Sequence, residues 1–239
     1  MSVLIYIDSE NGKVKKSAFE VATYARAIAD KQQTKVVAVT INVPQPEVLA
    51  AYGVNKVLSI TNDQLQHISA NTLNHLLQQA VAKENSTIVV FSASSQAKEV
   101  APLLANSLQA GYVSNIISLP TEDFIVKSNV FSNKAISLSQ INTPIKILGL
   151  APNAFKTEEK NVELTVEPFA PTLPDSDWGI QVITTEKTSG KVSLDDATIV
   201  VSGGRGLKAA ENWQIVEGLA EVLGAATACS KPVADMGWR

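Results

Sequence analysis

Thr198-Ile199-Val200-Val201-Ser202-Gly203-Gly204-Arg205-Gly206-Leu207-Lys208-Ala209 decides how the chain is read. Ile199, Val200 and Val201 form a β-branched run that ends in glycine, the mark of a short buried strand. Ser202–Gly206 is a glycine turn. From about Glu211 to Leu223 the pattern turns helical. Trp213, Val216, Leu219 and Leu223, with Ile215 and Val222, give one apolar face, and Gly224 ends the helix. Ala225–Cys229 supplies a second strand. Strand, glycine turn, helix and strand together make half of a dinucleotide-binding unit. Gly204–Ala209 fits the relaxed fingerprint G-x-G-x-x-A, yet Ala225–Ser230 holds no acid to meet a ribose. The turn alone admits two readings: close approach to a phosphate, or packing of strand on helix.

Working toward the N-terminus, Thr184–Leu194 is rich in Thr, Lys, Ser and Asp and reads as a linker, with a boundary near residue 190. Ala170–Asp175 is a proline-rich surface segment. Before it, strands and helices alternate. Val3–Ile7, Val36–Ile41, Lys56–Ile60 and Thr87–Phe91 read as strands. Ser17–Lys31, a short Pro46–Tyr52 stopped by Gly53, a long helix from Asn62 or Asp63 to about Lys83, and Gln96–Ala110 read as helices. That rhythm implies parallel pairing through right-handed crossovers. Phe124–Val130, Lys134–Ser139 and Lys146–Leu150 then follow without a helix between them, which predicts an antiparallel excursion. Val162–Val166 is a further candidate strand.

Composition narrows the class. The chain has 239 residues, 45% hydrophobic, a net charge of −3 and one cysteine. No basic block serves nucleic acid. No apolar run reaches the roughly 20 residues of a membrane helix, and the N-terminus enters a strand at once, with no basic n-region and no cleavage site. A single Cys229 excludes an internal disulfide and a cysteine-based metal site. A cytoplasmic protein is the reading these features favour.

Four places could carry chemistry. Arg205 lies in the glycine turn, at the end of a parallel strand where anionic ligands bind; a solvated arginine is the alternative. Ser230-Lys231 holds the same position after the second strand, and would line one crevice with Arg205. Ser92–Ser95 precedes a helix and reads as capping rather than as an anion site. His67 and His75, eight apart on one predicted helix, lack metal-pair spacing, and no histidine accompanies a nucleophile.

These residues resemble the alpha subunit of electron transfer flavoproteins. Val200–Lys208 with Glu211-Asn212-Trp213 is similar to the family's V-V-S-G-G-R-G-L-K…E-N-F. Leu223–Ala226, Ser230 and Asp235-Met236-Gly237-Trp238 are similar to its L-G-A-A-x-x-A-S-R-x-x-x-D-x-G-W. More loosely, Phe91–Ser94, Glu99–Ala105 and Tyr112–Ile117 resemble its first domain.

The resemblance implies a Rossmann-like, adenine nucleotide alpha hydrolase-like parallel-sheet domain over residues 1–190, with an antiparallel excursion. The start of an FAD-binding α/β domain would follow over 191–239. It implies an electron carrier rather than an enzyme with its own substrate. Such a subunit pairs with a beta subunit and takes electrons from flavin dehydrogenases, commonly acyl-CoA dehydrogenases of fatty acid oxidation. It passes them to a quinone oxidoreductase or another acceptor. Arg205, Ser230 and Lys231 would face the FAD. The family's arginine after that serine, expected over the flavin ring, is Lys231 here, which keeps the charge and loses the planar fork.

The segments Q-x-G-Q-T-G-K and S-G-A-x-Q-H, which hold much of the flavin in relatives, do not follow. The expectation is therefore a fragment that alone retains little FAD. Two other readings stand beside this one: an NAD(P)-dependent oxidoreductase using Gly204–Ala209, and a stress-protein-like nucleotide-binding domain over residues 1–150.

Overall fold

The computed structural model describes residues 1–178, 182–184, 194, 197 and 199–239. The chain divides into two compact units, Met1–Val182 and Ile183–Arg239. Most of the 184–194 linker, and the boundary near 190, lie outside the described residues.

The first unit is built on β1 (Ser2–Tyr6), a small hairpin β2 (Ser9–Glu10) and β3 (Lys13–Val14), α1 (Lys16–Lys31), β4 (Lys35–Ile41), β5 (Lys56–Ile60), α2 (Ala70–Glu84), β6 (Ser86–Phe91), α3 (Ser95–Leu108), β7 (Gly111–Ile116), β8 (Ile125–Val130), β9 (Ala135–Gln140), β10 (Lys146–Leu150) and β11 (Thr165–Pro168). Its nine-stranded sheet has the order β11-β5-β4-β1-β6-β10-β7-β8-β9. Pairing is parallel from β11 to β7 and antiparallel at β7–β8 and β8–β9.

Period-2 alternation in β1 sends Val3, Ile5 and Ile7 to one face, against Val21, Tyr24, Ala25 and Ile28 of α1. Leu4 and Tyr6 point the other way, among Leu73, Leu76 and Leu77 of α2 and Val100 and Leu104 of α3. The result is a three-layer α/β unit with a mostly parallel sheet, buried on both faces as such sheets must be.

Three sequence expectations are corrected. Lys146–Leu150 is not antiparallel: β10 inserts as a parallel strand between β6 and β7, so only β8 and β9 make the excursion. The long helix from Asn62 is two elements. Asn62 caps a 3-10 turn, Asp63–His67, accepting from the amide of Gln64, and Ser69 caps α2 by accepting from that of Thr72. Ile68, between them, has extended backbone angles that break the helix. The candidate strand at 162–166 pairs three residues later, as β11.

The second unit has β12 (Val200–Gly203), 3-10 turns at Arg205–Leu207 and Ala210–Trp213, α4 (Gln214–Leu223), β13 (Ala226–Cys229) and α5 (Lys231–Asp235). β12 and β13 pair in parallel, Gly203 opposite Cys229. The single apolar face expected of the 211–223 helix divides. Trp213, Val216 and Ala220 are buried, whereas Ile215, Leu219, Val222 and Leu223 are exposed. Among the described residues no helix is long and apolar enough to cross a membrane.

Candidate functional site

Parallel α/β sheets bind ligands beyond the carboxyl ends of their strands, above all where the strand order reverses. In the first unit the reversal lies between β1 and β6, since β4 and β5 extend the sheet one way and β6 the other. Asp8 follows β1 there. Its carboxylate accepts from the hydroxyls of Ser92 and Ser94, the latter at 2.9 Å. Ser94 is also the N-cap of α3, accepting from the amide of Ala97 at 3.1 Å. The Ser92–Ser95 stretch is thus a cap, and the helix N-terminus already faces a carboxyl group that belongs to the protein. Burial pushes the Asp8 carboxyl above its usual range, against the opposing pull of Ser92, Ser94 and Lys15.

A carboxyl raised in the folded state stabilises fully below its unfolded pKa, about 4, and that contribution is lost as pH rises through the folded value. Asp8→Asn, whose amide can still bond both hydroxyls, is therefore expected to match the native protein near pH 4. At neutral pH it should melt higher. Thermal melts across that range check this, and a lower melting temperature at pH 7 contradicts it.

The strand ends of the second unit have the opposite sign. Arg205 follows β12, and Ser230 and Lys231 follow β13; all three are exposed. The amide of Ser230 donates to the carbonyl of Gly203 at 3.2 Å, so the two strands end side by side. The structure thus places the residues singled out in the sequence at adjoining strand ends.

Most of the motif around them has a packing role. A β-carbon on Gly203 would meet Leu207 Cδ1 and Trp213 Cζ3, each at 2.6 Å. The side-chain amide of Asn212 donates to the carbonyl of Leu207 at 2.6 Å, closing the turn. Gly237, at φ +68, lets the chain reverse after α5, and the amide of Trp238 returns to the carbonyl of Val233 at 3.2 Å. Leu207, Val201, Cys229 and Trp238 pack around Trp213, Val216 and Val233.

Gly204 and Gly206 have no such role. A β-carbon on either meets nothing within 4 Å, and neither has a positive φ. Both stand in the open, as Gly218, Gly224 and Gly237 do, and they flank Arg205 at the end of β12, beside β13, which Ser230 and Lys231 follow. That donor set suits a phosphate-bearing or electron-rich ligand. No acid stands at the end of β13, where an NAD ribose site requires one; Ser230 and Lys231 come next.

The sequence does not reveal two polar clusters. One is Asp8 with Ser92 and Ser94, for which the only signal is a lone acid after an apolar strand. The other joins His75 Nδ1 to Asp177 Oδ2 at 2.8 Å, a contact between residues far apart in the chain. His67 and His75 also do not share a helix, because His67 closes the 3-10 turn before α2.

Comparison with known proteins bears on this geometry. The electron transfer flavoprotein domain model matches residues 3–173, and the electron transfer flavoprotein FAD-binding domain model matches residues 193–239. An electron transfer flavoprotein subunit alpha from Bacillus subtilis (strain 168) is 29% identical over 238 residues, covering 98% of this chain and 73% of that protein. Another, from Megasphaera elsdenii, is 27% identical over 250 residues, covering 98% and 74%. Protein FixB of Clostridium saccharobutylicum is 24% identical over 245 residues, covering 99% and 73%. Two successive domain matches in the order of an alpha subunit, over a three-layer unit and a glycine-turn unit, leave one assignment: the chain belongs to the electron transfer flavoprotein family, in the role of its alpha subunit.

Proposed function

We propose that the second unit takes part in holding FAD, and that Arg205, Ser230 and Lys231 are the side chains it presents to that cofactor. The observation that carries this reading is that Arg205, Ser230 and Lys231, all exposed, follow two parallel strands that end side by side. FAD, when bound, supplies the electron-accepting and electron-donating chemistry. The protein's part is to bind and orient it. Arg205 offers a fork of donors for phosphate or ring oxygens, Ser230 a hydroxyl, and Lys231 a point charge.

On this reading the protein is a carrier with no substrate of its own, and it works as a heterodimer with a beta subunit. Flavin dehydrogenases, such as those acting on acyl-CoA, supply its electrons, and a quinone oxidoreductase or similar protein receives them. Its single cysteine suits a reducing cytoplasm. The domain division we propose is 1–190 and 191–239. The Asp8 carboxylate at the reversal point weighs against an anionic nucleotide in the first unit. Ser230-Lys231 in place of an acid weighs against an NAD(P) enzyme.

A cation near the ring favours added negative charge. Lys231→Ala is therefore expected to lower the reduction potential of the bound flavin, by tens of millivolts for an effect of about 1 kcal/mol. Redox titration of the heterodimer tests it. An unchanged potential removes Lys231 from the site, and a heterodimer purified with no flavin absorbance removes the cofactor.

A further inference from the structure

Lys208 stands in a backbone conformation that residues other than glycine avoid, at φ +67 and ψ −30. Its ψ lies well away from the left-handed helical well, which is centred near +47. The amide of Ala209 donates to the carbonyl of Leu207 at 2.8 Å, across Lys208. A bond between residues two apart, with a positive φ between them, is a γ-turn of the rare, strained kind. Strain of this sort persists only where the surroundings over-determine it, and it collects at functional sites.

The surroundings here are specific. The Leu207 carbonyl accepts a second bond, from Asn212 Nδ2 at 2.6 Å. Asn212 immediately precedes the buried Trp213, and Leu207 packs against the core that Trp213 belongs to. Further bonds run back from the turn toward Arg205. The amide of Lys208 donates to the Arg205 carbonyl at 3.0 Å, and that of Leu207 to the Gly204 carbonyl at 3.1 Å. Trp213, Asn212, Leu207 and Arg205 thus form one chain of contacts from the core to the strand end. Arg205 itself is exposed, so packing does not orient it, and its backbone must.

We infer that Asn212 is a positioning residue for the flavin site. By holding the Leu207 carbonyl it keeps the strained turn, and the turn fixes the backbone from which Arg205 reaches the cofactor. The inference rests on the reading that Arg205 faces FAD. Asn212 acts through Arg205 and not on the cofactor itself. A preset backbone lowers the ordering cost that Arg205 bears when FAD binds.

The test is a double-mutant cycle on the heterodimer, stripped of flavin and titrated with FAD. Arg205→Ala and Asn212→Ala are made singly and together. Asn212→Ala is expected to raise the FAD dissociation constant about three- to tenfold, the worth of one hydrogen bond. In the Arg205→Ala background the same change should have an effect of less than about twofold. The second unit should stay folded at the titration temperature, as tryptophan fluorescence reports, because the Asn212 side chain is exposed. Equal losses in both backgrounds overturn the inference, since Asn212 then acts apart from Arg205. Loss of the folded fluorescence signal in Asn212→Ala also overturns it, in favour of a folding role. An unchanged constant in Asn212→Ala, where Arg205→Ala weakens binding, overturns the positioning role and leaves the functional reading standing. An Arg205→Ala heterodimer that binds FAD like the native one overturns both.

Discussion

Gly203→Val is expected to unfold the second unit while the first stays folded. The position lies at the end of β12, where Leu207 and Trp213 close over the turn. A β-carbon there falls 2.6 Å from an atom of each, and 3.2 Å from Trp213 Cη2. Leu207 is half-buried and can turn aside, but the Trp213 ring is held in a core with Val216 and Val233. Overpacking a site of this kind costs about 3 kcal/mol, a large share of what so small a core supplies. Thermal melting should show an early transition in tryptophan fluorescence. Gly204→Ala and Gly206→Ala should change stability by less than about 0.5 kcal/mol yet weaken flavin binding in the heterodimer. If Gly203→Val melts like the native protein, the packing account of that glycine is wrong.

Arg26→Ala should destabilise the first unit by about 1.5–3 kcal/mol, the worth of hydrogen bonds to a charged group. Arg26 is a buried cation on α1. It donates to Asn55 Oδ1 at 2.8 Å and to the carbonyl of Thr34 at 3.1 Å, and it pairs with Asp30 at 2.9 Å. Asn55 in turn accepts from the amide of Val36 at 3.0 Å. One side chain thus ties α1 to the starts of β4 and β5. It also explains Gly53, whose φ is +86 and whose absent β-carbon would lie 2.5 Å from Arg26 Cγ. Chemical denaturation of the variant measures the loss. A change under about 1 kcal/mol would show that water replaces the guanidinium at little cost.

The parallel core is legible because its strands are short apolar runs separated by periodic helices. Lys56–Ile60 has the same bounds in the sequence pattern and in the structure. β10 departs from the sequence expectation for a physical reason: its run is apolar enough for a core strand, but a hairpin rather than a helix precedes it, and direction does not show in composition. The start of α2 departs because Asn62 is a good cap for a turn that ends at Ile68, and local chemistry cannot say how far a helix continues. In the second unit the positions of Arg205, Ser230 and Lys231 follow from the strand–turn–helix order. The division of α4 does not, since helical periodicity marks which residues are apolar and not which of them meet a neighbour. Asp8 stays hidden because its partners lie more than eighty residues away.

The place of β10 also has a consequence in time. β7 reaches the parallel core only through β10, which follows it in the sequence by the whole length of the β8–β9 hairpin. During synthesis β7 therefore leaves the ribosome with no parallel neighbour on that side, and it gains one only when Lys146–Leu150 emerges. The hairpin, whose strands are close in sequence, folds locally within microseconds, far sooner than the chain lengthens by those residues. It shields one side of β7 in the interval, while the other side waits for its strand.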